Sequence, residues 1–345
     1  MSQQSEKISN RIDWVDYAKG LGIVLVVMGH SLRGEMTSAK GSDLLIAHPI
    51  DAWIYAFHMP LFFFLSGLFA RSLRNKTPQD FWTSRWTILI HPYLLWSLII
   101  HGTRSIAGLT DQSWPEFIAN FWRVSYEPIG IFWFLYVLGL ISSLYYLLFS
   151  NVWIKTLNRS WVLIITTIAS YTAYIVFKDA IAWEPLRRTL AFFPYFCLGS
   201  LCQELPNILS SLINSRSRRW QVIVAGFGAV TLGILANLWS PPSEPHLLLA
   251  SCGILAIVAL AQEMAAAQPW DLVKLLGVRS LQIYVLHTLF SSLAVKLLHK
   301  VIPGDIFWLD LAFGAVVGVF LSLAIAEVCQ KMHWEGLFSL RQMAR

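Results

Sequence analysis

One stretch near the N-terminus gathers residues able to do chemistry: D16-Y-A-K19-G-L-G-I-V-L-V-V-M-G-H30. Imidazole takes and returns protons near neutral pH, so His30 suits a general base or, less readily, an acyl-accepting nucleophile. Lys19 is a compact cation suited to an anionic ligand. Asp16 stands three residues before it and can pair with it on one helix face. Lys19 and His30 are eleven residues apart. At 100° per residue that is three turns plus about 20°, with ~16 Å between them along the axis. A helix here presents a cation near one end and an imidazole near the other, on the same face. Between them that wall is apolar, with small gaps at Gly20, Gly22 and Gly29. Each residue also has a plain reading: Lys19 as a snorkelling side chain, and His30 as an interfacial polar group.

Further candidates lie along the chain. His58 follows Phe57, and Ser66-Gly67 are small enough to let another helix approach closely. Arg71 and Arg74 are three apart and share a helix face, either as a basic anchor or as a phosphate clamp. His91-Pro92 interrupts a long apolar run, and proline there implies a kink. Tyr284 and His287 share a face and line a cavity or hydrogen-bond across helices. Trp133 reads as packing or an interfacial anchor before it reads as a stacking platform. Glu327 reads as solvated. Cys197, Cys202, Cys252 and Cys329 have apolar neighbours and no metal-like spacing, so they read as packing residues.

The elements that must position these groups follow from composition. The 345 residues are 56% hydrophobic and 13% charged, with a mean hydropathy of +0.56. Soluble domains run nearer 45–50% and about 25%. This excludes a soluble globular enzyme, a disordered chain and a disulfide scaffold. A pI near 9.2 and net charge of +6 read as membrane topology rather than a nucleic-acid face. A span needs about 20 mostly apolar residues. Ten such segments are expected, at 14–33, 53–71, 86–106, 130–149, 161–177, 187–203, 220–239, 246–265, 280–299 and 306–328. Long polar connections are expected at 34–52 and 107–129. Spans must satisfy their own backbone, and the alternating pattern of a barrel is missing, so the fold class is an all-α polytopic bundle. Residues 1–13 read as an N-terminal segment, 14–329 as the transmembrane unit and 330–345 as a tail. Lys and Arg are denser on the N-terminal side of the spans, among them Lys7, Arg11, Arg71, Arg74, Lys76, Arg85, Lys155, Arg216, Arg218, Arg219, Arg341 and Arg345. Lys40 is counted on the other side. That bias places both termini in the cytoplasm. Trp14, Trp53, Trp161, Trp220 and Trp239 read as interfacial anchors.

Taken together, these residues resemble the type-3 acyltransferase family of membrane proteins. The carriers are Lys19-x10-His30, Arg71-x-x-Arg74, F62-F-F-L-S-G67, F132-W-F-L135, F193-P-Y-F-C-L-G199 and S280-L-Q-I-Y-V-L-H287, in the family's order. Lys19 stands where Arg is commoner, which exchanges a guanidinium fork for a point charge. The chain looks closest to the branch that O-acetylates fucose and related sugars or polysaccharides. The resemblance implies acetyl-CoA as acyl donor, a sugar or cell-envelope glycan hydroxyl as acceptor, no metal and no nucleic acid, and residence in the bacterial cytoplasmic (inner) membrane. Arg71, Arg74 and Lys19 would then meet the donor's phosphates. His30 would act as general base with Lys19 held by Asp16. His58, Tyr284, His287, Ser66 and Trp133 would line the cavity or receive the oxyanion. A carrier for sugars or lipid-linked polymer, with the polar face lining a path, is the alternative from another class. A non-catalytic membrane subunit is a third.

Overall fold

The computed structural model describes residues 12–37, 42–106, 113–150, 158–236, 246–268, 271–302, 304 and 306–340. Lys7, Arg11, Lys40, Lys155, Trp239, Arg341, Arg345 and most of both terminal segments lie outside these. The described residues form helices and no strands. In chain order they are α1 (Asp13–Met36), α2 (Ser42–Gly67), α3 (Arg71–Arg74), α4 (Pro78–Arg85), α5 (His91–Ile106), α6 (Trp114–Asn120), α7 (Trp133–Phe149), α8 (Arg159–Phe177), α9 (Glu184–Glu204), α10 (Pro206–Leu212), α11 (Arg216–Leu235), α12 (Leu247–Ala267), α13 (Asp271–Val278), α14 (Ser280–Val301) and α15 (Phe307–Lys331).

Seven helical stretches among the described residues are long and apolar enough to cross a membrane. This is an integral multi-pass protein. Three of the ten expected spans fall short of that standard. The 86–106 segment opens as a π-helical turn at Trp86–Ile90 and leaves only 16 residues in α5. Pro92 has no N–H to return to the preceding turn, and the wider turn absorbs the missing bond. The helices α9 and α11 are long enough, but the Glu184-Pro-Leu-Arg-Arg and Arg216-Ser-Arg-Arg starts dilute their apolar windows.

Both long connections expected as polar loops are largely helical instead. The helix of the second span begins at Ser42, eleven residues before the expected start, and ends at Gly67. Ala47 packs with Leu32 and Phe307, and that small apolar cluster holds the extension against α1 and α15. Within 107–129, a capping box between Ser113 and Glu116 starts α6.

α1 is the axis of the bundle. It packs against α2, α12, α13, α14 and α15. The apolar windows of α1 and α2 are 67% and 72% buried, against 22% for α8. Ile165, Ile168 and Val176 of α8 and Val224, Leu232 and Leu235 of α11 are exposed, as lipid-facing residues are. Trp53 points inward rather than to an interface, with its ring 4.9 Å from Phe57 and 5.2 Å from Phe227.

Two crossings are close enough to need glycine. A Cβ on Gly67 would lie 2.0 Å from the Phe196 carbonyl oxygen, and one on Gly199 would lie 2.0 Å from that of Phe64. α2 and α9 thus meet backbone to backbone. Gly20 and Gly277 do the same for α1 and α13: their added Cβ atoms would lie 2.0 Å from the Val273 oxygen and 1.7 Å from the Asp16 oxygen. Lys274 on α13 adds an ion pair to Asp13 at 2.8 Å, and that hydrogen bond raises the ammonium's pKa.

Candidate functional site

α1 and α2 run antiparallel, so the start of α1 lies beside the end of α2 and the start of α14. A cavity of about 530 Å³ opens there. Lys19 and Ile23 of α1, Ser66 and Phe62 of α2, Arg85 of α4, and Ser280 and Tyr284 of α14 are among its lining residues. Most of the wall is apolar, including Val26, Met59, Leu89, Phe134 and Leu138. Its volume falls within the ~300–1,000 Å³ of small-molecule sites. A second hollow of about 290 Å³ shares Lys19, Phe69, Ser280 and Leu281, and adds Asp16 and Gly277. Lys19 therefore stands where the two hollows meet. Its ammonium lies 3.8 Å from the Asp16 carboxylate, the pairing their spacing implies.

Arg85 is the cation that the sequence pattern passed over, since it reads as one more positive-inside charge. It lines the large cavity beside Ser72 and Leu73. The structure places Arg71 and Arg74 differently. Neither is among the residues lining that cavity. Arg74 is buried and ion-paired with Glu204 at the end of α9. The Arg71 side chain is exposed, and its backbone N–H donates to Gln203 Oε1 at 3.1 Å.

His30 lies at the other end of α1, where it lines a separate hollow of about 60 Å³ with His287, Ser31, Ser291, Thr288 and Glu35. The His30 and His287 rings are 5.3 Å apart, and the Tyr284 ring is 6.3 Å from His287. Tyr284 also lines the large cavity, so these three rings stand between the two hollows. The Tyr284 hydroxyl donates to the Ile131 carbonyl across helices. Ser66 donates to its own helix at Phe62 O, 2.8 Å away, while lining the cavity.

Around His30 the structure adds three residues that spacing did not bring together. Arg33 forms two hydrogen bonds to Asp51, at 2.7 and 3.0 Å. Its guanidinium lies 3.2 Å above the centre of the Tyr55 ring. That ring meets His58 edge-on at 4.5 Å and His30 at 6.3 Å. The signal in the sequence was only a basic residue at a span end and an acid in an expected loop. The helical extension of α2 is what places Asp51 and Tyr55 against α1. His58 is buried, with Nδ1 2.8 Å from the Ile54 carbonyl; the carbonyl can only accept, so Nδ1 carries the proton. Trp133 is packed among Phe63, Phe134 and Phe192, and Arg188 sits 4.2 Å over its ring.

Arginine–carboxylate pairs recur toward the helix ends. Arg219 meets Glu263 at 2.5 Å and Arg279 meets Glu327 at 2.7 Å. Glu327, expected in solvent, is thus tied to α14's first residue by the helix neighbour it packs on. The four cysteines are unpaired.

The acyltransferase-domain family model (Acyl_transf_3) matches residues 12–327. Among curated proteins, the chain is 27% identical over 202 residues to the nodulation protein NolL of Mesorhizobium japonicum, covering 56% of this chain and 48% of that protein. It is 31% identical over 212 residues to NolL of Sinorhizobium fredii, covering 61% and 54%. The chain thus spans about half the length of the curated relatives it matches. No solved structure matches it. The family match runs from the first described residue to near the end of α15 and takes in both hollows and the three rings between them, and the chain accordingly belongs to the type-3 acyltransferase family.

Proposed function

We propose that the protein transfers an acetyl group from cytoplasmic acetyl-CoA to a hydroxyl of a sugar or cell-envelope glycan, with His30 as general base. The observation that carries this reading is the pairing of two hollows across one ring septum. The large cavity has cations at Lys19 and Arg85 and an apolar interior. That suits a ligand with a polyanionic head and a long thin thioester arm. Arg71, exposed beside it, gives the phosphates a further partner, and Arg74 serves by holding α3 against α9. Asp16 keeps Lys19 oriented.

In the chemical step the acceptor oxygen loses its proton to His30 and attacks the thioester carbonyl. A tetrahedral oxyanion forms. Its collapse breaks the carbon–sulfur bond, and the coenzyme A thiolate takes the proton back from His30. The products are an O-acetyl ester and free coenzyme A. Family membership and the organisation of the site support the acyl transfer. Acetyl as the group, the sugar class of the acceptor and cytoplasmic termini are part of the proposal. The bacterial inner membrane is the setting it requires.

The test uses purified protein in detergent with radiolabelled acetyl-CoA. Saturable binding is expected, weakened at least about tenfold by Lys19→Ala or Arg85→Ala, the scale of one lost charge-assisted hydrogen bond. His30→Ala is expected to bind the donor as wild type does and to transfer nothing. Retained transfer in that variant overturns the role of His30. Absence of donor binding by the folded protein overturns the reading as a whole.

A further inference from the structure

Three buried polar atoms converge on the small hollow without a hydrogen-bond partner among the described residues: Ser31 Oγ, Ser291 Oγ and His287 Nε2. Ser31 and Ser291 are 8% exposed and His287 is fully buried. Buried polar groups are nearly always hydrogen-bonded, so three orphans facing one space call for a ligand. The His287 tautomer is fixed by its own helix. Its Nδ1 lies 2.8 Å from the Tyr284 carbonyl and 3.1 Å from that of Ile283. Those oxygens only accept, so Nδ1 carries the hydrogen and Nε2 presents a lone pair. Nε2 therefore accepts a hydrogen bond from a hydroxyl, while each serine can donate or accept.

The neighbourhood is shaped to leave this space open. A Cβ on Gly318 would lie 2.1 Å from Ser291 Oγ. One on Gly314 would lie 3.1 Å from Val295 and 3.9 Å from Ser31 Oγ. No Lys or Arg lines the hollow, and its one acid is Glu35. Its volume of about 60 Å³ admits the hydroxyl-bearing edge of a ring and not the whole ring.

We infer that this hollow is the acceptor subsite, reached from the side of the protein opposite Lys19, and that it takes adjacent hydroxyls of an uncharged sugar. One hydroxyl donates to His287 Nε2 and its neighbour bonds to Ser31 and Ser291, which places the reacting oxygen beside His30. The side chain of Glu35 selects against acceptors carrying a carboxylate. This deepens the transfer reading and rests on it.

The experiment measures transfer of labelled acetyl from acetyl-CoA to a panel of methyl glycosides. Neutral glucosides, galactosides, mannosides, fucosides and N-acetylglucosaminides are compared with methyl glucuronide and galacturonide. Donor binding is measured in the same preparations. The Ser31→Ala/Ser291→Ala double variant is expected to raise the acceptor KM at least tenfold while donor binding and kcat stay within twofold. His287→Gln is expected to lower kcat/KM at least a hundredfold. Glu35→Gln is expected to admit the uronides that wild type refuses. An unchanged acceptor KM in the serine double variant overturns the subsite, whether or not the His287 variant folds. So does a wild-type enzyme that binds donor yet acetylates uronides as well as neutral sugars, or acetylates none of the panel. Failure to bind acetyl-CoA at all overturns the transfer reading instead.

Discussion

At the scale of single residues, two arginines three apart in the sequence have separate fates. Arg74 is buried against Glu204, whereas the Arg71 side chain is exposed. Removing one partner of a buried pair strands the other charge and costs about 3–5 kcal/mol. Arg74→Ala is therefore expected to lower thermal stability in detergent by that order, with Glu204→Ala doing the same. Arg71→Ala is expected to leave the melting temperature unchanged and to weaken acetyl-CoA binding alone; parallel melting and binding curves separate the two. The sequence made the residue types of the site legible. Lys19, His30, Tyr284 and His287 do line hollows, because a long apolar helix fixes which residues share a face. The Arg33–Asp51–Tyr55 group was not legible. Its members are joined by a contact between helices, and helical periodicity carries information about one helix at a time.

At the scale of elements, the helices were largely readable and their crossings were not. Apolar runs set where helices form, while the closeness of a crossing depends on which small residues face each other. Ser66-Gly67 signalled an approach, but its partner Gly199 emerges only from the geometry of α2 on α9. Reciprocal backbone contact at Gly67 and Gly199 leaves no room for a methyl group. Gly199→Ala is expected to destabilise the protein by about 1–3 kcal/mol through overpacking, and Gly67→Ala similarly. Cavity-lining residues Ser66 and Phe196 sit beside that crossing. The same substitutions are therefore expected to weaken donor binding even where folded protein is recovered; donor titration of the detergent-solubilised variants at low temperature checks this. The second crossing, Gly20 on α1 with Gly277 on α13, lies beside Asp16 and Lys19 and fixes that end of the site.

At the scale of the whole molecule, the bundle holds a large apolar hollow toward one side and a small polar one toward the other. Between them stand the rings of Tyr284, His287 and His30, spaced 6.3 and 5.3 Å centre to centre. An acyl group has to pass this septum, yet the membrane around the protein sustains an ion gradient. Rings packed at that spacing exclude a continuous thread of water, so the same side chains that bring donor and acceptor together also act as an electrical seal. Liposomes bearing the wild-type protein are accordingly expected to hold a pH gradient as long as protein-free liposomes do. Tyr284→Ala joins the two hollows by removing the ring they share a wall with, and is expected to speed dissipation of that gradient several-fold, read with an entrapped pH-sensitive dye. Chemistry across a barrier thus constrains this site twice over: the aromatic groups are kept large enough to insulate as well as close enough to react.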